Sequence, residues 1–271
     1  MPKPLTITYD VWPNPEAVAG AASRLFTSAV VKAVDARGVA RVAISGGTTP
    51  KRVFQLLADP AQPFLNTIPW DKLHLYWVDE RSVPPTDNDS NYKMTNEAML
   101  SKVPLPASQI HRMEGELPPD EAASRYETVL RNTMKLEGAE SPAFDLLLLG
   151  MGDDGHTASL FPHTDALHEL SRLVVANHVP QKDTWRITLT FPVINQAREV
   201  AFLIEGAAKS RILAEVLTGP HDPEHLPSQL IRPSTGTLLF LLDTAAAENL
   251  PKPTETLTES AGSHTVGTLT R

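Results

Sequence analysis

Three short segments place chemically capable residues where apolar runs end. In GMGDDGHTASLFP (150–162), His156 follows a glycine and two adjacent acids, Asp153 and Asp154. Histidine titrates near neutrality and can take a proton from water, and a neighbouring carboxylate such as Asp154 can orient the ring or raise its basicity. The same histidine could instead cap a helix or bond a nearby carbonyl, and the chain has nine histidines. In WVDERSVPPTDNDSNY (77–92), Asp79, Glu80 and Arg81 follow an apolar run directly. An arginine there can clamp an anion or an oxyanion, with Asp79 ordering it or a substrate hydroxyl. The plain alternative is a solvated charged loop with an internal ion pair.

The third segment is SGGTTP (45–50), which contributes Ser45, Gly46, Gly47 and Thr48. Glycines allow close backbone approach, and a helix that follows presents free N–H groups and the positive end of its dipole. A phosphate cradle and an ordinary strand-to-helix turn fit these residues equally well. The segment is not a Walker A loop, because the lysine-containing pattern is absent. Arg186 in WRITLT and Lys209 in EGAAKSRIL are further cationic candidates, although exposed cations mostly serve solubility. GMGDDG also matches the bare G-x-G-x-x-G pattern. A dinucleotide is nevertheless rejected there, since Asp153 and Asp154 would meet the pyrophosphate and the strand lies midway along the chain.

The elements that must position these residues follow from periodicity. Asn14-Pro15-Glu16 opens a helix with a capping side chain and a proline at its first position, and Gly38 ends it. Buried strands are expected at 39–45, 73–78, 144–149, 200–205 and 236–243, each a short continuous apolar run. Helices are expected from Pro50 and near Ala208–Leu217, with a short one after the last strand. The alternating WRITLTF (185–191) reads as a mixed-direction or edge element. Strand, glycine turn and helix in repetition imply an α/β fold, with a mostly parallel sheet covered by helices on both faces. In such sheets ligands bind beyond the carboxyl ends of the strands. Segments 45–48, 79–81, 150–156 and 206–209 would therefore meet at one edge. Residues 1–250 read as a single α/β catalytic domain, and 251–271, rich in Thr, Ser, Gly and Pro, as a flexible tail.

Composition narrows the function classes. A formal net charge of −8 argues against general nucleic-acid binding, and the absence of cysteine excludes disulfides, thiolate metal sites and a cysteine nucleophile. The opening residues MPKPLTITYDVW lack the apolar run of a secretory signal, and the longest apolar stretches, such as FDLLLLGM, are too short for a bilayer. The expectation is a cytoplasmic protein with no nucleic-acid or membrane partner, a monomer or small homo-oligomer.

Taken together, AISGGTTP, WVDERSVPPTDNDSNY, FDLLLLGMGDDGHTASLFP, WRITLTFPVIN and EGAAKSRIL resemble, in order and spacing, the 6-phosphogluconolactonases. The resemblance runs from about Val11 to about Ala246 and extends more distantly to the glucosamine-6-phosphate deaminases. Those carry a sequence like I-A-F-N-E-P after Gly-His, where this chain has Thr157-Ala158-Ser159-Leu160-Phe161-Pro162. The resemblance implies a Rossmann-like, phosphosugar isomerase-like fold and hydrolysis of 6-phospho-D-glucono-1,5-lactone. It implies His156 as general base on water, Asp79, Arg81 and Asp154 as its catalytic companions, Ser45–Thr48 near the phosphate, and Arg186 and Lys209 as phosphate contacts. It implies no cofactor, and no H-x-x-x-H or comparable spacing suggests a metal. The competing readings are a deaminase and isomerase of amino-sugar phosphates, and a non-catalytic sugar-phosphate sensor.

Overall fold

The computed structural model describes residues 6–252, 255–259 and 262–270. Its main sheet runs in the order β11 (Glu255–Glu259), β12 (Gly262–Thr270), β1 (Thr6–Trp12), β10 (Thr237–Asp243), β9 (Glu199–Ile204), β6 (Leu146–Leu149), β2 (Ala40–Ile44), β3 (Leu73–Trp77), β5 (Ile110–His111). From β1 to β5 all neighbours are parallel, whereas β12 and β11 join antiparallel. The helices are α1 (Pro15–Arg37), α2 (Thr48–Leu57), α3 (Phe64–Thr67), α4 (Asn91–Ala98), α5 (Pro119–Met134), α6 (Phe191–Ile194) and α7 (Ser210–Thr218).

The central strands read as unbroken apolar runs because both sheet faces are covered. On one face Leu146, Leu148, Val42 and Ile44 pack with Phe26 of α1 and Phe54 of α2. On the other, Leu147, Leu149 and Ala43 pack with Phe202, Phe240, Tyr126 of α5 and Leu213 of α7. The caps follow the expected chemistry. The Asn14 side chain accepts the Ala17 N–H at 2.9 Å, and Gly38 ends α1 at φ 73°. By length and composition α1 could cross a bilayer, yet 56% of that stretch is buried in the protein. Its small alanines let it lie close on the sheet.

A second, antiparallel sheet has the order β4 (Asp79–Arg81), β8 (Thr184–Leu189), β7 (Val174–Val179). The expected mixed-direction element at 185–191 is therefore the middle strand of its own small sheet. Val78 joins the two sheets: its N–H donates to the Ile44 carbonyl at 2.9 Å and its carbonyl accepts from Leu189 N–H at 2.8 Å. The chain thus leaves the carboxyl end of β3 and enters β4 within one residue, which sets Asp79–Arg81 over the strand ends.

Two further differences from expectation are local. The segment after β10 forms turns rather than a helix, with the Asp243 carboxylate accepting from Ala246 N–H at 2.7 Å. Within the segment read as a tail, Thr265–Thr270 of β12 pair with β1, His264 stacks on Trp12 at 4.1 Å, and Gly267 lies against the Tyr9 ring. At the opposite end of the strands, the buried Asp145 carboxylate accepts from Arg37 at 2.5 Å, Arg41 N–H at 2.8 Å and Arg198 at 3.2 Å. It ties α1, β2 and β9 together away from the site.

Candidate active site

β2 and β6 are neighbours, but the chain leaves them in opposite directions, β2 towards β3 and β6 towards β9. That topological switch opens a crevice beyond their carboxyl ends. A cavity of about 330 Å³ lies there. Ser45, Gly46, Gly47, Thr48, Asp79, Arg81, His156, Arg186 and Lys209 all line it. Asp154 does not. It stands behind His156.

The turn carrying His156 is held from several sides. Gly152 N–H donates to the His156 carbonyl at 2.8 Å, the Thr157 hydroxyl donates to the Gly150 carbonyl at 2.8 Å, and Gly155 sits at φ 75°. The His156 ring nitrogen Nδ1 lies 2.5 Å from Asp154 Oδ1, and the ring stacks on Phe161 at 3.9 Å. A Cβ at Gly152 would come within 2.0 Å of His156 Nδ1 and 2.6 Å of Asp154 Oδ1, so only glycine leaves room for this pair. The glycine pattern that mimics a dinucleotide fingerprint is here a seat for a histidine and its acid. Burial pushes the Asp154 carboxyl up, but the ring hydrogen bond, the charge of His156 and two backbone N–H groups outweigh it and hold it at about 2. Asp154 is therefore ionised at neutral pH and accepts. In the neutral imidazole that contact places the proton on Nδ1 and leaves Nε2 with its lone pair.

The DER segment is not the solvated loop that its charges allow. Asp79 and Glu80 are both buried. Glu80 accepts from the N–H groups of Arg81, Asn91 and Tyr92, each at 2.8 Å, and from the Ser90 hydroxyl at 3.1 Å. Its carboxylate therefore caps the start of α4, where the helix dipole favours an anion. Burial still places the Glu80 carboxyl above its ordinary value, against those backbone hydrogen bonds. The cap brings Asn91 into the site, where its amide donates to the Asp79 carbonyl at 2.9 Å and Oδ1 at 3.3 Å. The Ser159 hydroxyl donates to Asp79 Oδ2 at 2.7 Å. Asn91 also explains Gly46, since a Cβ there would lie 1.7 Å from Asn91 Oδ1.

Positive charge collects on the remaining walls. Arg81 and Arg186 are directly paired across β4 and β8. Arg186 donates to the Thr184 hydroxyl at 3.2 Å and the Trp185 carbonyl at 3.3 Å, and Arg81 donates to the Asp89 carbonyl. Among the described residues neither has a carboxylate at salt-bridge distance. Burial and the facing Arg81 push the Arg186 guanidinium below its ordinary value, although arginine stays charged. Like charges directly opposite on neighbouring strands repel unless an anion lies between them. Lys209 pairs with Asp153, and Lys182 lies 5.5 Å from the Phe161 ring centre. Opposite them, Gly47 (φ 115°) leads into α2 with no side-chain cap, and the buried Ser45 hydroxyl has no hydrogen-bond partner.

Sequence reasoning missed Asn91, Ser159 and Lys182. Asn91 and Ser159 lie inside the 77–92 and 150–162 segments, and the signal for Asn91 is the capping serine before it. No local signal marks Lys182. Among the described residues no group of three or more His, Asp or Glu side chains is arranged to hold a metal ion.

Residues 13–240 match the family described as glucosamine-6-phosphate isomerases/6-phosphogluconolactonase. The chain is similar to 6-phosphogluconolactonase of Synechocystis sp., 43% identical over 83% of this chain and 90% of that one. It is 40% identical to that of Nostoc sp. over 90% of this chain and 98% of the other. The structure of 6-phosphogluconolactonase from Trypanosoma cruzi superposes with a TM-score of 0.78 at 28% identity, covering 93% of this chain and 98% of that one. By sequence and fold alike, the chain belongs to the glucosamine-6-phosphate isomerase/6-phosphogluconolactonase family.

Proposed function

We propose that this cavity hydrolyses 6-phospho-D-glucono-1,5-lactone to 6-phospho-D-gluconate, the lactone step of the oxidative pentose phosphate pathway. The observation that carries the reading is His156, bonded at 2.5 Å to an ionised Asp154 and set on the wall of a cavity whose other walls bear Arg81, Arg186 and Lys209. With Nδ1–H engaged, Nε2 takes the proton of a water attacking C1 of the lactone. The tetrahedral oxyanion meets Arg81 or the backbone N–H groups of the glycine-rich exit. Protonated His156 then donates to the ring oxygen as the C1–O bond breaks. Arg186, Lys209, the Ser45 hydroxyl and the N–H groups at the start of α2 hold the phosphate, and this remote binding orients the carbonyl. Asp79, fixed by Ser159 and Asn91, accepts from a sugar hydroxyl.

A lactone is an internal ester that water already attacks, so a base, an oxyanion partner and an anchor suffice. The reaction as written uses water and the chain's own groups, in a cytoplasmic enzyme. The test generates the lactone in situ and follows acid release, corrected for spontaneous hydrolysis. Acceleration over the spontaneous rate is expected. Ammonia release from glucosamine 6-phosphate, with no acceleration of lactone loss, would replace this reading with the deaminase.

A further inference from the structure

We propose that Asp153 is a built-in competitor for the substrate's phosphate, holding Lys209 until that phosphate displaces it. This rests on the reading of Lys209 as a phosphate contact. Lys209 lines the cavity and its side chain is 25% exposed, whereas the Asp153 side chain is 79% exposed and lies outside the lining. The two are ion-paired. Among the described residues the Asp153 carboxylate bonds to no other group. Its neighbour Asp154 turns the other way, to His156, so the adjacent acids divide their work.

Asp153 therefore meets an active-site cation from the solvent side, in a position the mechanism does not use. A phosphate dianion entering the cavity offers Lys209 a stronger partner than one carboxylate. The carboxylate is free to swing into water, because nothing else holds it. An ion pair with one partner this exposed is weak, so its release costs at most about fivefold in affinity. The arrangement favours doubly charged phosphate esters over singly charged acids, which gain no advantage from exchanging one carboxylate for another.

The experiment compares Asp153→Asn with the unaltered chain. Calorimetry with inorganic phosphate should show a Kd lowered about two- to fivefold. The KM for phosphorylated lactone should fall alike with kcat moved less than about twofold, and the KM for unphosphorylated gluconolactone should stay put. In a Lys209→Met background the same substitution should change the phosphate Kd by less than about 1.5-fold. Phosphate binding that is unchanged or weaker in Asp153→Asn overturns the proposal, since Asp153 then merely positions Lys209. A gain that persists in full without Lys209 also overturns it, in favour of a general field effect. The calorimetric arm needs no turnover. An unaltered chain that binds phosphate but leaves the lactone untouched would sink the lactonase reading while still deciding this one.

Discussion

Gly152→Ala should disable the site without disturbing the fold. Gly152 does not adopt a left-handed backbone, so alanine is conformationally allowed there. The added methyl, however, would stand 2.0 Å from Nδ1 and 2.2 Å from Cε1 of His156, where ordinary contact begins at 3.4 Å. The ring must retreat by about 1.4 Å. It cannot do so freely, since Phe161 stacks on it at 3.9 Å and Asp154 bonds it at 2.5 Å. A misplacement of about 1 Å in a catalytic group typically costs about 100-fold, or about 2.7 kcal/mol of barrier. We expect kcat/KM for the phosphorylated lactone to drop by about that factor, with Tm within about 3 °C of the parent because the loop surface absorbs the change. The assay is continuous acid release with the spontaneous rate subtracted, beside a thermal melt. Activity within about threefold of the parent would refute the argument that Gly152 is a seat for the His156–Asp154 pair. A Tm fall of more than about 10 °C would refute the claim that the damage is local.

Four further outcomes follow from the same geometry. His156→Ala should keep the fold and the binding of phosphogluconate but lose on the order of 10²–10⁴-fold in rate; residual activity within about threefold would remove the base role. Arg186→Ala should weaken binding of the phosphorylated lactone by about 1.5–3 kcal/mol and spare the unphosphorylated one, and Arg186→Lys should rescue it poorly; equal losses for both lactones would take Arg186 out of the phosphate site. Because the Asp154 carboxyl is held at about 2, below its ordinary 3.8, it contributes stability above that ordinary value which is lost as pH falls towards 2. Urea melts should therefore show the gap between the parent and Asp154→Asn narrowing from about pH 5 to about pH 2, and a constant gap would contradict the linkage. Asp145→Ala should lower stability by about 2–3 kcal/mol through loss of three donors to a buried carboxylate, with activity per folded molecule unchanged; a Tm within about 2 °C of the parent would show that the network carries no net stability.

The strands that build the crevice were legible because each is short, apolar and ended by a glycine or a charged turn. Leu146–Leu149 and Ala40–Ile44 could be nothing else in a chain whose sheet is buried on both faces. Helix α1 announced itself by its caps. What stayed hidden depends on partners far away in sequence. Asp79–Arg81 is a three-residue charged strand only because Thr184–Leu189 lies beside it, and nothing local marks that pairing. Glu80, for which a solvated charge was one of two readings, is the buried cap of α4, a role visible only once the helix start is placed at Asn91. The Thr-, Ser- and Gly-rich run after Leu250 lacks the hydrophobicity of a core strand, but threonine and valine suit an outer strand that packs on one side only. Within the site, the residues singled out by type and spacing line the cavity, apart from Asp154. Asn91 and Ser159 line it too, but their part is to hold Asp79, a partnership between residues far apart in sequence that neither residue type announces.

The placement of β1 has a consequence for how the chain acquires its structure. Thr8 lies opposite Leu239 on one side and Ile7 opposite Leu269 on the other, separations of 231 and 262 residues. During synthesis β1 can therefore find neither neighbour until the 231 residues that carry the chain on to Leu239 have been made. Loop closure over such distances is slow, and strands waiting for partners are where misassembly begins. The central strands β2, β3 and β6, with α1 and α2 laid on them, are expected to assemble first. β1 should gain protection from hydrogen exchange late, together with β10 and β12, as the closing step of the sheet.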